Sequence, residues 1–418
     1  MLLSEFAKPS KAHYKILIVS WVGWLLGFYD LILIAFLLVP IGKELSLTKV
    51  QLSYALGASL AATGVGGVAF GILADRYGRK RVFQWTILTY SIATLLTGLA
   101  GGLGMLVVSR VIAGFGVGGE WAAGQTYVSE TFPPNVRGRY CAFLQSGAPI
   151  GLTLAALVGA FVEPAIGWRV CFLLSTFFVF LVIIVRRTLP ESDLWLQNGS
   201  LRIESRNNFL ELFAKTYRRF FLLSLTLSIF DMSAYWMTFT WLPTYLNEVR
   251  HLSITHSSLW IVWTQVGILL GTLSFGFVAD AIGRRPAYSM YCAVMALGLI
   301  MITVMWGAIA ANPAYILIFM FFVGFGTGNF AGFGPLFSEL FPTKIRSTAS
   351  GSAFNIARGL QFFSQLVIAS IVLETGISIA ALFALLTGAW IWTLPETKGR
   401  KLDSLEPQDS PTVTALSS

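Results

Sequence analysis

The chain has 418 residues, of which 56% are apolar and only 12% charged, with a formal net charge of +9. Soluble domains carry about 25% charged residues, so half that share excludes an ordinary water-facing globule. Cys141, Cys171 and Cys292 lie in apolar stretches without paired or metal-ligand spacing, which excludes a disulfide framework and a zinc site.

Crossing the hydrocarbon core of a bilayer takes about 20 apolar residues. Runs of this kind start near Ile16, Val50, Val82, Met105, Tyr140, Val170, Phe220, Leu259, Ala287, Tyr315, Thr348 and Ile377. They predict an all-α membrane protein with twelve spans, of which the sixth and twelfth are short. The first run lacks a small-residue cleavage site and reads as a span, not as a signal peptide. Between the sixth and seventh runs, the polar, Arg-rich stretch from Arg186 to Arg219 predicts a linker. The expected organisation is an N-terminal six-helix half over 1–188, a cytoplasmic linker over 189–219, a C-terminal half over 220–396 and a tail over 397–418.

Charge sets the orientation. With both termini in the cytoplasm, 23 of the 29 Lys and Arg residues fall on the cytoplasmic side and four, Lys43, Lys49, Arg169 and Arg250, outside. Such a bias is the positive-inside signature. It accounts for the basic balance as topology, leaving no reason to invoke a nucleic-acid partner.

The sequence repeats internally at an offset of roughly 200 residues. Gly71-Ile-Leu-Ala-Asp75-Arg-Tyr-Gly78-Arg79-Lys80 returns as Gly276-Phe-Val-Ala-Asp280-Ala-Ile-Gly283-Arg284-Arg285. Ser129-Glu130-Thr-Phe-Pro133 with Arg137 returns as Ser338-Glu339-Leu-Phe-Pro342 with Arg346. Pro190-Glu191-Ser192 returns as Pro395-Glu396-Thr397, and Asp30 as Asp231. Several matches in register predict duplication of a six-span unit.

These motifs resemble the major facilitator superfamily over nearly the whole chain. Within it, Arg110-Val-Ile-Ala-Gly114-Phe-Gly116-Val-Gly118-Gly119-Glu120-Trp121 and Gly27-Phe28-Tyr29-Asp30 are most similar to the sialate and metabolite:proton symporters, a branch of organic-acid permeases. The resemblance implies alternating access between two pseudo-symmetric halves, with a cavity lined by spans 1, 4, 7 and 10 and helped by 2, 5, 8 and 11. It also implies that Asp75, Arg79, Glu130 and Arg137, echoed by Asp280, Arg284, Glu339 and Arg346, form a cytoplasmic gate. Solvated surface charge is the plainer reading of the same residues, since exposed pairs are worth little.

Four ionisable residues fall near mid-span: Asp30, Glu120, Asp231 and Arg358. Each costs about 2.5–3.5 kcal/mol there on insertion scales, so each needs a cavity or a partner. At 100° per residue, Asn355, Arg358 and Gln361 share one polar stripe with Gln365, and Asp231 shares a face with Tyr235. One guanidinium cannot satisfy three carboxyls, so at least one of Asp30, Glu120 and Asp231 is expected to carry a proton. The planar fork of Arg358 suits a substrate carboxylate. Asn355, Gln361, Asn329, Tyr29, Trp121 and Tyr235 are the further substrate-binding candidates. Permanent pairing of Arg358 with Asp231 or Glu120 is the competing structural reading, and the aromatic residues have packing as theirs. Arg110 resembles the span-4 Arg of proton-coupled relatives, and an anchor of its helix near the outer interface is the other reading.

The expected function is transport of a small organic anion in symport with protons, by a monomer in the cytoplasmic membrane. No cofactor, metal or catalytic residue is expected, because His13, His251 and His256 lie away from mid-span and no nucleophile–base pair is evident. A sugar or other neutral-solute porter is the alternative, and mid-membrane Arg358 argues against it. A drug exporter would show a fuller motif around Pro149, and a receptor would carry a sizeable extra domain.

Overall fold

The computed structural model describes residues 9–176, 189–197, 208–251, 254–312, 314–369 and 373–402. Most of the expected sixth span, the middle of the linker, the side chain of Gln365 and the tail beyond 402 lie outside them. Among the described residues the regular structure is entirely helical.

The long helices are α1 (Lys11–Glu44), α2 (Lys49–Tyr77), α3 (Arg79–Gly98), α4 (Leu103–Thr131) and α5 (Arg137–Ile166). The described part of α6 covers 168–176. There follow α7 (Arg218–Thr244), α8 (Ile254–Ile282), α9 (Arg284–Val304), α10 (Tyr315–Leu340), α11 (Arg346–Ala369) and α12 (Leu373–Trp390). Among the described residues nine helical stretches are long and apolar enough to cross a membrane. Neither α3 nor α11 is among the nine, although each has the length. Both carry runs of polar residues, and those of α11 are turned inward: Asn355, Arg358 and Gln361 are all buried.

Local chemistry explains where helices start and how polar residues survive inside them. Thr48 caps α2, its side chain accepting from the Gln51 N–H while the Gln51 side chain accepts from the Thr48 N–H at 2.8 Å. Hydroxyls buried in the spans donate back to their own helix, as Thr126 does to the Ala122 carbonyl at 2.9 Å and Thr238 to Ala234 at 2.7 Å. With no water available, this is how a span satisfies a hydroxyl.

Helices approach one another through missing side chains. A Cβ on Gly114 of α4 would strike the Ser59 carbonyl of α2, and one on Gly324 of α10 would strike the Thr264 carbonyl of α8. Backbone cannot swing aside as a side chain does. Gly114→Ala is therefore expected to destabilise the fold by about 1–3 kcal/mol and to lower the melting temperature followed by tryptophan fluorescence. A variant that melts with the parent would mean that α2 and α4 are not in this contact.

The N-terminal and C-terminal helices meet chiefly along two seams, α2 against α11 and α5 against α8. At the first seam the glycines again set the spacing: Gly64 and Gly67 lie against Asn355, and Gly71 against Ser347 and Thr348.

Candidate functional site: an ion-pair network at one end and a central cavity

At one end of the bundle, the repeated motifs build a buried network. Arg79 pairs with Asp75 at 3.0 Å and with Glu130 at 2.9 Å, and Arg284 pairs with Asp280 at 2.7 Å and Glu339 at 2.9 Å. Two buried pairs cross between the N-terminal and C-terminal helices: Arg346 with Glu130 at 2.7 Å and Arg137 with Glu339 at 3.0 Å. All of these side chains are at most 3% exposed, so the solvated-surface reading fails.

The two motif aspartates have a second task. Asp75 accepts from the N–H groups of Ser347 and Thr348 at 3.0 and 2.8 Å and from the Thr348 hydroxyl at 2.7 Å. Those N–H groups belong to the first turn of α11, which has no intrahelical acceptor for them. Asp280 does the same for α5, accepting from Gly138 and Arg139 at 3.1 Å each. Each aspartate thus caps a helix on the other side of the seam, where the helix dipole favours a negative charge.

Gly78 and Gly283 turn the chain with φ of +107° and +108°, a region that side chains disfavour. Carboxylates close over both turns: Glu191 accepts from the Lys80 N–H at 3.0 Å, and Glu396 from Arg284 and Arg285 at 2.9 and 3.0 Å. Burial alone would push the Glu396 carboxyl up. The N–H donors of Arg284, Arg285, Lys398 and Thr397 outweigh it and hold the carboxyl below the usual range.

Beyond the network lies a cavity between α1, α5, α7, α8, α10 and α11. Of the four mid-span ionisable residues, Arg358 alone lines it. Its guanidinium lies over the Phe354 ring at 4.8 Å and the Trp24 ring at 5.6 Å, and Nη1 donates to Asn355 Oδ1 at 3.4 Å. Among the described residues no carboxylate comes within ion-pair distance of it, so the permanent pairing with Asp231 or Glu120 is not formed. Cation–ring contacts contribute about 0.5–2 kcal/mol, which leaves the charge only partly compensated.

The carboxyls sit elsewhere. Asp30 is held by Arg110 at 3.0 Å and by the Thr94 hydroxyl at 2.6 Å, inside the N-terminal helices. Arg110 also donates to the Asp30 carbonyl at 3.1 Å. This corrects the charge balance inferred from sequence, since a second guanidinium is present at the depth of Asp30. Asp231 accepts from Asn329 Nδ2 at 2.6 Å, and the same amide reaches Cys292 Sγ at 3.2 Å. Glu120 lies apart from this cavity, in a tightly packed niche with Trp24, Trp121 and Gln125. The wall behind it is Gly27, where a Cβ would lie 2.6 Å from Glu120 Oε2.

Among the other candidates, Tyr235 lines the cavity. Trp121 is buried, stacked on Phe354 with centroids 3.7 Å apart, and donates to Gln145 Oε1 at 3.3 Å. Asn355 serves the α2–α4–α11 junction, donating to the carbonyls of Gly118 and Gly351. Gln361 donates to Ala357 on its own helix, and Tyr29 bonds Ser175 at 2.9 Å, so neither lines the cavity. Reading by sequence missed Gln145, Gln265, Thr272 and Phe330 as lining residues. An amide inside an apolar run was a usable signal for both glutamines; Phe330 gave none among 33 phenylalanines.

The pattern of the Major Facilitator Superfamily matches residues 19–364. The chain belongs to that family. It is 32% identical over 409 residues to a Haemophilus influenzae protein provisionally assigned to metabolite transport, covering 95% of this chain and 99% of that one. It is 31% identical to the Escherichia coli sialic acid transporter NanX over 357 residues, 85% of this chain and 86% of the relative. Its fold matches the proton:xylose symporter XylE bound to 6-bromo-6-deoxy-D-glucose with a TM-score of 0.78 at 22% identity, over 96% of this chain and 99% of that one. A facilitator-superfamily chain with nine such apolar helices among its described residues is an integral, multi-pass membrane protein.

Proposed function

We propose that this major facilitator protein is a secondary active transporter carrying a small organic anion across the cytoplasmic membrane in symport with protons. The observation that carries the reading is Arg358: a buried guanidinium facing a central cavity with no carboxylate paired to it among the described residues. A fork of N–H donors in a low-dielectric space is a receptor for a carboxylate. Similarity to a sialic acid transporter supports an acid as cargo.

The proposal includes twelve spans in two halves joined by the 189–219 linker, with both termini cytoplasmic. The network of Asp75, Arg79, Glu130, Arg137 and their C-terminal counterparts then closes the cytoplasmic end while the substrate enters from outside. Proton coupling falls to Asp30, whose ion pair with Arg110 can be broken by one proton. Breaking it leaves Arg110 with its bond to the Asp30 carbonyl alone and loosens α1 from α4. Glu120 and Asp231 are the further proton-binding candidates.

Reconstituted protein tests this reading. With an inward proton gradient, labelled organic acid should accumulate above its external concentration, and a protonophore should collapse the accumulation. Asp30→Asn should lose gradient-driven accumulation yet retain exchange of internal for external substrate. Full accumulation by Asp30→Asn removes Asp30 from the coupling step.

A further inference from the structure

The lining of the cavity says what kind of acid fits it. Among the described residues only one of its side chains is charged, Arg358. A second carboxylate on the cargo would enter an apolar space without a counter-charge, where an uncompensated ion is heavily penalised. The hydrogen-bonding capacity is equally sparse. Apart from Arg358 and the polar atoms of Tyr235 and Trp236, the lining offers Gln145, Gln265, Thr272 and Thr327. Gln145 Oε1 is already occupied, accepting from Trp121 at 3.3 Å and Gln125 at 3.1 Å. The Thr327 hydroxyl donates to the Gly324 carbonyl at 2.6 Å. Gln265 Oε1 is the buried acceptor with no partner among the described residues.

Against these few polar groups stands an aromatic wall. The Tyr235 ring lies 5.0 Å from Phe330 and 5.7 Å from Trp236, and Phe28, Met232 and Ile268 complete the apolar surface. A polyhydroxylated acid would bring several hydroxyls that must each replace their water partners, and a site without matching groups rejects such a ligand strongly. A flat ring loses nothing on the same surface and gains stacking.

Resting on the organic-anion reading above, we propose that the cavity selects a flat, singly charged aromatic or conjugated carboxylate. Its carboxylate lies on Arg358, its ring packs against Tyr235 and Phe330, and a single ring donor can reach Gln265. Dicarboxylates and polyhydroxylated acids are rejected.

The test uses the full chain in liposomes, with binding read as a shift in melting temperature and as competition for uptake. Four probes separate the possibilities: benzoate, its neutral analogue benzamide, its dianionic analogue terephthalate, and N-acetylneuraminate as the polyhydroxylated acid. Benzoate is expected to bind at least tenfold more tightly than each of the other three. Phe330→Ala should weaken benzoate by about tenfold. Stronger binding of N-acetylneuraminate or terephthalate overturns the assignment of class while the organic-anion reading stands. Equal binding of benzamide and benzoate, or no binding of any acid, overturns both. An unchanged benzoate affinity in a folded Phe330→Ala protein overturns the ring placement.

Discussion

Replacing Arg358 by alanine is expected to lower uptake by about a hundredfold while the protein still inserts and folds. The reasoning starts from the surroundings of the guanidinium. Its protein contacts are two rings and one long hydrogen bond to Asn355, so its removal strands no buried carboxylate among the described residues. The loss falls on the ligand. Truncating one partner of a buried, hydrogen-bonded charge pair costs about 2–5 kcal/mol, and each 1.4 kcal/mol is a factor of ten in affinity. Arg358→Lys keeps the charge but lacks the planar fork, so it should recover only part of the activity. The measurement is initial uptake rate against substrate concentration in proteoliposomes. Parental rates in Arg358→Ala would remove the anion from this site.

The second large effect is expected at Glu130. Its carboxylate accepts from Arg79 at 2.9 Å and from Arg346 at 2.7 Å, joining α3 to α11 through α4, and the Ser192 hydroxyl donates to it at 2.5 Å. Glu130→Gln preserves the shape but leaves two fully buried guanidiniums without their shared counter-charge. Breaking a buried pair in this way costs about 3–5 kcal/mol. The cost applies only where the network is closed, because parting the two sides lets water reach Arg79 and Arg346. The variant should therefore shift its population toward the form open at this end. Spin-label distances between the starts of α5 and α11 should lengthen, and vectorial transport should fall even if substrate still binds. Unchanged distances together with normal transport would refute a latch at Glu130.

Much of the architecture was legible before any coordinates. Hydropathy marked most of the helices, and the repeat paired Asp75 with Asp280 and Glu130 with Glu339. The interior was harder to read, for a physical reason. A helical wheel places Asp30 on an inward face but does not say whether inward means the cavity or a neighbouring helix. Arg110 is 80 residues from Asp30, and their contact depends on how α1 crosses α4. Likewise Asn355 stands one turn from Arg358, yet it fills the niche left by Gly67 and not the cavity. Small residues decide such matters, because they set how closely two helices approach and so which polar side chain is sealed between them.

The cavity and the ion-pair network have no side chain in common: none of the eight residues Asp75, Arg79, Glu130, Arg137, Asp280, Arg284, Glu339 and Arg346 lines the cavity. Cargo and machinery can therefore diverge at different tempos. On the proposed reading, a handful of substitutions around Tyr235, Gln265 and Phe330 retunes what is carried while the conformational cycle stays as it is, so a lineage built on this plan samples new cargo at little mechanical risk.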